Sequence, residues 1–203
     1  MARSYLFVAS ILVLTSAQAA TAESWKIDPV HSAAQFAVKH MMISTVRGQF
    51  SKVSGTVDYD PKNPKAAKVD ATIDVSSVDT HEPKRDAHLR SADFFDTDKF
   101  PSMTFKSTRV LEAKAGKLKL AGDLTLHGVT REVTLNVDGP SAPITDPGGS
   151  TKVGASATAT INRKDFGVSW NKTMDGGGVM LGEEVPITID VELVKNPKVA
   201  DNK

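Results

Sequence analysis

Apolar and polar residues alternate with a period of two along most of the chain. In one segment Val69, Ala71, Ile73 and Val75 share one parity, and polar residues stand between them. Such a row places its apolar side chains on one face of a pleated strand. Similar rows, separated by turns that contain proline or glycine, cover 32–39, 46–50, 53–59, 103–105, 118–126, 133–137, 153–161 and 185–193. About eight to ten short strands with little helix predict an all-β chain folded as an antiparallel sandwich or barrel.

One charged segment, between the rows that end at 75 and begin at 103, has no alternation. Pro83 suits the first turn of a helix, because the N–H that proline lacks would have no helical partner there. We therefore predict a short helix near residues 83–92. Phe94 and Phe95 follow it, and they would press the segment against one mouth of the predicted barrel.

The first 22 residues are typical of a cleaved secretory signal peptide. Residues 5–14 form an apolar run that is too short to span a bilayer, and small residues at cleavage-site spacing follow it. We expect cleavage after Ala22, with Ala19 as the alternative. An uncleaved anchor or a buried helix is the competing interpretation. Export predicts a periplasmic location, with secretion as the alternative.

The rest of the chain is predicted to form a single domain. It covers residues 23–196 and is followed by a polar tail at 197–203. The sequence shows no internal repeat or linker that would divide this region. After signal cleavage we predict no membrane-spanning segment, because no second run is long and apolar enough to cross a bilayer.

Composition excludes several classes of function. The chain carries 25 Lys and Arg against 24 Asp and Glu, so its net charge is close to zero. Without a net positive field to attract phosphates, nucleic-acid binding is not predicted. The chain has no cysteine, which excludes disulfides, thiolate zinc sites, iron–sulfur clusters and cysteine nucleophiles.

The predicted inward faces contain many small side chains. Ala155, Ala157 and Ala159 occupy three successive inward positions, and Gly55 and Gly122 add to the missing volume. Small residues inside an eight-stranded barrel leave an apolar void, which is unfavourable when empty and suits a hydrocarbon chain. The competing interpretation is that the alanines face a closely packed strand and no cavity forms. If the apolar parity faces inward, the ligand-binding lining is Phe36, Val38, Phe50, Val57, Ile73, Val75, Phe95, Met103, Phe105, Leu120, Leu124, Ala157, Ile187 and Ile189.

The histidines and one arginine-containing motif are the polar candidates. No histidine pair has the spacing of a known metal or catalytic motif, so we predict neither a metal site nor a catalytic residue. Zinc or copper held by distant histidines stays open, and backbone hydrogen bonds at strand ends are the simpler interpretation. Arg163 and Asp165 could pair at a bend, and they either latch a corner or meet an anionic head group. The predicted rim or head-group residues are His31, His40, His88, Arg90, His127, Arg163, Asp165 and Trp170.

Four motifs cover nearly the whole mature chain. They are WKIDPVHSAAQF at 25–36, RDAHLRSADFFDTDKFPSMTF at 85–105, LTLHGVTREVTL at 124–135 and INRKDFGVSW at 161–170. In content and order they resemble the YceI-like, polyisoprenoid-binding family of exported bacterial proteins. The resemblance implies an extended lipocalin-like antiparallel β-barrel of about eight strands with a short helical segment. It also implies a long apolar pore that holds one amphiphilic chain, such as a polyprenyl lipid, a quinone-like molecule or a fatty amide.

Two functions of different classes follow from this sequence. The first is a periplasmic carrier or store of a long-chain amphiphilic lipid, which makes and breaks no bond and needs no cofactor. The alternative is a metal-dependent or histidine-based enzyme acting on a small hydrophobic substrate, which would use some of the histidines, among them His81. A structural or stress-related protein with a filled core is a third interpretation. The predicted partner is the lipid, and a homodimer stays open.

Overall fold

The computed structural model of the chain describes residues 22–196. The predicted signal peptide, apart from Ala22, and the predicted tail at 197–203 lie outside the described residues. The first strands are β1 (Glu23–Ile27), β2 (Ala33–His40), β3 (Ser44–Phe50), β4 (Val53–Tyr59), β5 (Lys68–Asp74) and β6 (Val78–Asp79). A helix, α1 (Pro83–Arg90), precedes β7 (Ser102–Lys114), β8 (Lys117–Leu126), β9 (Val129–Asp138), β10 (Ile144–Thr145), β11 (Thr151–Asn162) and β12 (Glu184–Lys195). Short 3-10 helices lie at Pro64–Ala66, Val75–Ser77 and Arg163–Phe166.

Eight strands close into a barrel. The ring runs β1, β4, β5, β7, β8, β9, β11 and β12, and β12 returns to β1. All of these neighbours are antiparallel. β11 and β12 pair from Lys152↔Val194 to Asn162↔Glu184, and this long ladder removes the free edges that an open sheet would expose. The predicted antiparallel β-barrel with one short helix is confirmed.

Three strands extend one end of this barrel. β2 pairs with the first half of β12, β3 pairs with β2, and β6 pairs with β3. The connection from β6 to β7 carries α1, and the 3-10 helix at Arg163–Phe166 follows β11 at the same end. We call this the helical end, and the end where β1 meets β4 the opposite end.

Helix α1 begins and ends at hydrogen bonds that its sequence provides. The Glu82 carboxylate accepts from the backbone N–H of Arg85 at 2.7 Å, and Pro83 occupies the first turn. At the other end, the Ser91 hydroxyl donates to the carbonyl of His88 at 2.8 Å. Asp86 is buried and accepts from both the N–H and the hydroxyl of Thr80, which ties the helix to the chain after β6. Within residues 22–196, no helix has the length and apolar character that a membrane crossing requires.

Val75 departs from the prediction made for its strand. The alternation predicts that Val75 faces the same way as Ile73 and lines the interior. The structure instead starts a 3-10 helix at Val75, because the Asp74 carboxylate accepts from the N–H of Ser76 at 2.9 Å and turns the chain. Val75 is only 2% exposed and packs in a core cluster with Phe50. The prediction that Val75 lines the interior space is therefore wrong.

Gly122 also differs from its predicted role as missing interior volume. A Cβ at Gly122 would collide with the ring of Phe105 and would lie 2.7 Å from the carbonyl of Lys106 on β7. The space beside Gly122 is therefore filled by an aromatic ring from the neighbouring strand. At Gly55, a Cβ would meet the backbone of Asp70, so this glycine serves a close approach of β4 to β5.

We expect Gly122→Ala to destabilise the barrel by about 1–3 kcal/mol, because the methyl group must displace Phe105 or the β7 backbone. Urea unfolding measures this as a lower midpoint without a change in slope. The matched control is Gly154→Ala on β11, where the nearest heavy atom to the new Cβ lies 3.9 Å away. Equal midpoints for the two variants would show that the Phe105 contact does not restrict this position.

Candidate functional site

An apolar cavity runs through the barrel. Its volume is about 480 Å³, within the range of small-molecule binding pockets. Residues from both ends of the barrel border it: Ile27, Tyr59 and Leu118 at the opposite end, and Trp170 and Leu181 at the helical end. Most of the bordering side chains are aliphatic or aromatic, so a water molecule inside would find few hydrogen-bond partners.

Most of the predicted lining residues border this cavity. They come from strands far apart in sequence, which the closed ladder brings around one space. The predicted residues on the cavity wall are Phe36, Val38, Phe50, Val57, Ile73, Phe95, Met103, Phe105, Leu120, Leu124, Ala157, Ile187 and Ile189. Val75 is not on the wall, for the reason given above. That these side chains bind a ligand stays a prediction.

Three alanines of β11 give the cavity wall small side chains on that strand. Ala155, Ala157 and Ala159 all border the cavity, and they pair across the ladder with larger residues of β12. The space in front of them is part of the void. The competing interpretation, in which these alanines face a closely packed strand and leave no cavity, does not describe the structure.

The predicted lining omits further wall residues, and two groups of them are instructive. The first is on β8 and β9, where Leu118, Leu126, Leu135 and Val137 border the cavity and belong to rows whose alternation was visible. Their parity was the signal that could have identified them. The second group is Met180 and Leu181 in the loop before β12, where the sequence shows no periodicity.

Polar side chains gather on the cavity wall at the helical end. Arg85 and His88 come from α1, His40 from the end of β2, and Arg163 from the 3-10 helix after β11. We call these four residues the basic cluster. The ring of His88 lies 5.2 Å from that of Trp170, and His40 forms a β-bridge to Leu181, so these elements meet around one end of the cavity.

Arg163 is held by backbone carbonyls. Its Nε donates to Gly182 at 2.9 Å, and its Nη1 donates to Val168 at 2.7 Å and to Trp170 at 2.9 Å. The side chain is 5% exposed, and burial lowers the pKa of its guanidinium, while the charge of Glu183 acts in the opposite direction. The 3-10 helix that carries Arg163 is capped by the Asn162 side chain and ends at Gly167, whose φ of 78° suits glycine. The predicted pairing with Asp165 is absent among the described residues, and Asp165 is exposed.

His88 pairs with an acid and two aromatic rings. Its Nε2 lies 2.7 Å from the Asp93 carboxylate, and its ring meets those of Phe94 and Trp170 edge-on. A histidine oriented by a carboxylate is one part of a nucleophilic site. Within residues 22–196, however, the imidazole of His88 is hydrogen-bonded to Asp93 and to no serine or threonine hydroxyl.

Arg90 and His127 are two other predicted rim residues that do not border the cavity. Arg90 donates to the carbonyls of Ser76 and Val78, both at 3.0 Å, and so latches α1 to the chain around β6. His127 lies in the turn between β8 and β9, with its ring 4.6 Å from that of Phe100. Arg90, His127 and Asp165, and also His31, therefore do not border the cavity, and their role at a head group stays a prediction.

His31 belongs to a charged group on the outside of the barrel. His31, Asp28 and Glu192 are close enough to hold a metal ion together. Lys152, however, already lies among these acids, with its Nζ 2.6 Å from Glu192 and 3.7 Å from Asp28. The hydrogen bond from His31 holds the pKa of Asp28 below its usual value, helped by the N–H of Val30 and the charge of Lys152. This arrangement is an ion-pair network that fastens the start of β2 to β11 and β12.

Comparison with known proteins identifies the family. Residues 25–193 match the family model of the YceI-like domain. A UPF0312 protein from Staphylococcus aureus is 37% identical over 169 residues, which cover 83% of this chain and 96% of the relative. The chain therefore belongs to the YceI-like family.

Solved structures share the fold. BcnA of Burkholderia cenocepacia superposes with a TM-score of 0.69 at 25% identity, covering 82% of this chain and 98% of that one. The YCEI protein of Campylobacter jejuni gives 0.66 at 32% identity, over 78% of this chain and 90% of its own. A polyisoprenoid binding domain from Saccharophagus degradans gives 0.62 at 17% identity, over 86% and 99%, and shows the same fold.

The network around Asp28 gives a pH-dependent prediction. Because the pKa of Asp28 is lower in the folded chain than its usual 3.8, its carboxylate stabilises the fold above that pH, and this contribution is lost as the pH falls. Asp28 is 15% exposed, and we expect Asp28→Asn to lower the free energy of unfolding at pH 7 by up to about 1 kcal/mol. Urea unfolding across the pH range should show wild type and variant converging below pH 3.8.

Asp98→Asn is the control, since Asp98 is exposed and forms no ion pair within the described part of the chain. A difference between wild type and Asp28→Asn that persisted in acid would contradict the electrostatic explanation.

Proposed function

We propose that this protein is a periplasmic carrier or store that encloses the hydrocarbon part of one long-chain amphiphilic lipid in its barrel. The observation that carries the proposal is the cavity of about 480 Å³ whose wall is aliphatic and aromatic along most of its length. An apolar space of this size is a poor site for water and a favourable one for a chain of carbon atoms. The periplasmic location rests on the signal peptide predicted from the sequence.

The volume limits the chain that fits. At about 30 Å³ for each small group, which is the share of one water in the liquid, the cavity has room for roughly sixteen groups. This corresponds to a fatty chain, or to about three isoprene units, with any longer tail projecting from the barrel. Each buried methylene contributes about 0.8 kcal/mol before the costs of ordering the chain are subtracted.

The ligand contacts that we propose are those of the predicted wall residues that border the cavity. The branched methyl groups of an isoprenoid would suit the irregular outline that the alanines of β11 leave. A domain of the same fold from S. degradans is a polyisoprenoid binding domain, which makes an isoprenoid our first choice of tail. Quinone-like molecules and fatty amides present a similar tail to the same wall.

We infer that binding, and not catalysis, is the function of the cavity. The imidazole of His88 has no serine or threonine hydroxyl bonded to it within residues 22–196. The described residues that could hold a metal ion together, Asp28, His31 and Glu192, do not border the cavity, and Lys152 already pairs with Glu192. His40 and His88 border the cavity, whereas His31, His81 and His127 do not, so the histidines do not converge on one site.

Ala157→Phe tests the carrier, because the ring would occupy the cavity in front of β11. Native mass spectrometry of protein purified from its own host should find wild type with a bound lipid of defined mass. We expect Ala157→Phe to lose most of that lipid and to remain folded by circular dichroism. Thr158→Phe is the matched control, since Thr158 is the next residue on β11, is exposed and does not border the cavity.

If Ala157→Phe carried the same lipid in the same amount, the tail would lie elsewhere and the cavity would not be the binding site. A wild-type protein that carried a metal ion and no lipid, and took up no amphiphile in titrations, would favour the enzymatic alternative.

A further inference from the structure

The ionisable side chains on the cavity wall are all basic ones, apart from Tyr59 at the opposite end. The wall residues in the described part of the chain include His40, Arg85, His88 and Arg163, and they include no aspartate or glutamate. All four lie at the helical end, so the rest of the cavity carries no charged group on its wall. An amphiphile in this barrel would therefore meet positive charge at one end only.

One hydrogen-bond donor of Arg163 has no partner among the described residues. Its Nη2 is buried and has no hydrogen-bond partner among residues 22–196, although Nε and Nη1 are occupied by three carbonyls. A buried donor on a charged group is costly when it is left unpaired. The nearby Glu183 acts on this charge only from a distance, because it pairs with Lys164 at 2.5 Å and forms no ion pair with Arg163.

Arg85, on α1, also has only uncharged hydrogen-bond partners among the described residues. Its Nε donates to the hydroxyl of Thr80 and its Nη2 to the carbonyl of Thr80, so neither bond neutralises its charge. Three acids in or beside α1 have other partners. Glu82 accepts from the backbone N–H of Arg85, Asp86 accepts from Thr80, and Asp93 faces His88. Neither arginine of the basic cluster forms an ion pair in the described part of the chain.

We propose that the basic cluster binds an oxyanion head group, a phosphate or a carboxylate, at the helical end of the cavity. This inference rests on the proposed carrier function and adds the chemical class of the ligand. The head group would supply an acceptor for Nη2 of Arg163 and a negative charge for the two guanidiniums, which are the donors that best match phosphate and carboxylate. A cationic head group would be repelled by the same residues. An uncharged alcohol would leave their charge unbalanced.

The experiment measures the dissociation constants of three amphiphiles of similar length. Farnesyl phosphate, farnesoate and farnesol share one isoprenoid tail and carry a phosphate, a carboxylate and an uncharged alcohol. We expect wild type to bind farnesyl phosphate roughly ten- to a hundredfold more tightly than farnesol, as the removal of a bond to a charged group predicts. The ratio of farnesyl phosphate to farnesoate affinity then tells a phosphate site from a carboxylate site.

Arg163→Gln should lower the preference for farnesyl phosphate over farnesol, because it removes one of the two guanidiniums that would meet the phosphate. The control is Arg90→Gln, because Arg90 also donates to two backbone carbonyls but does not border the cavity. A purely structural role of Arg163 would weaken both ligands equally and would leave the ratio of their affinities unchanged.

The outcomes separate this inference from the carrier function. If farnesyl phosphate and farnesol bind wild type equally well, the oxyanion proposal is wrong and the carrier proposal stands. If none of the three amphiphiles binds, the carrier proposal itself fails. The wild-type comparison gives this answer even if Arg163→Gln does not fold.

Discussion

The ladder between β11 and β12 is the constraint on which the rest of the structure depends. It closes the sheet, and closure makes every strand of the ring present one face to a shared interior. Because side chains alternate along a strand, one shift of register would turn a whole row outward. The pairing from Lys152↔Val194 to Asn162↔Glu184 therefore fixes both the shape of the cavity and the identity of its wall.

The size of the cavity follows from which inward residues are small. An eight-stranded barrel has a radius that ordinary side chains just fill. On the β8 side, the ring of Phe105 covers Gly122 and leaves little space. On the β11 side, Ala155, Ala157 and Ala159 reach only a short distance inward, and all three border the cavity. These small side chains therefore contribute to the volume of the void.

The sequence predicts the strands and most of the wall well, because alternation is a local signal that closure converts directly into inward and outward faces. The alternation gives the wrong orientation for Val75, because the Asp74 side chain turns the backbone there. Aspartate followed two residues later by serine is a sequence typical of such a turn. Prediction from the sequence fails differently at Arg163, which pairs with the carbonyls of Val168, Trp170 and Gly182. No local pattern marks the position of a carbonyl that only the folded loop brings into place.

The two ends of the cavity differ in the side chains that border them. Strands contribute their apolar parity to the interior, so the opposite end, near Ile27, Tyr59 and Leu118, is bordered by apolar and aromatic side chains. The helical end is made from α1 and the Arg163 segment, where polar residues can face inward without disturbing a ladder. An amphiphile bound by the contacts proposed above would thus have one orientation, with its tail towards β1 and β4. Orientation would come from the placement of charge, while affinity would come from the length of buried tail.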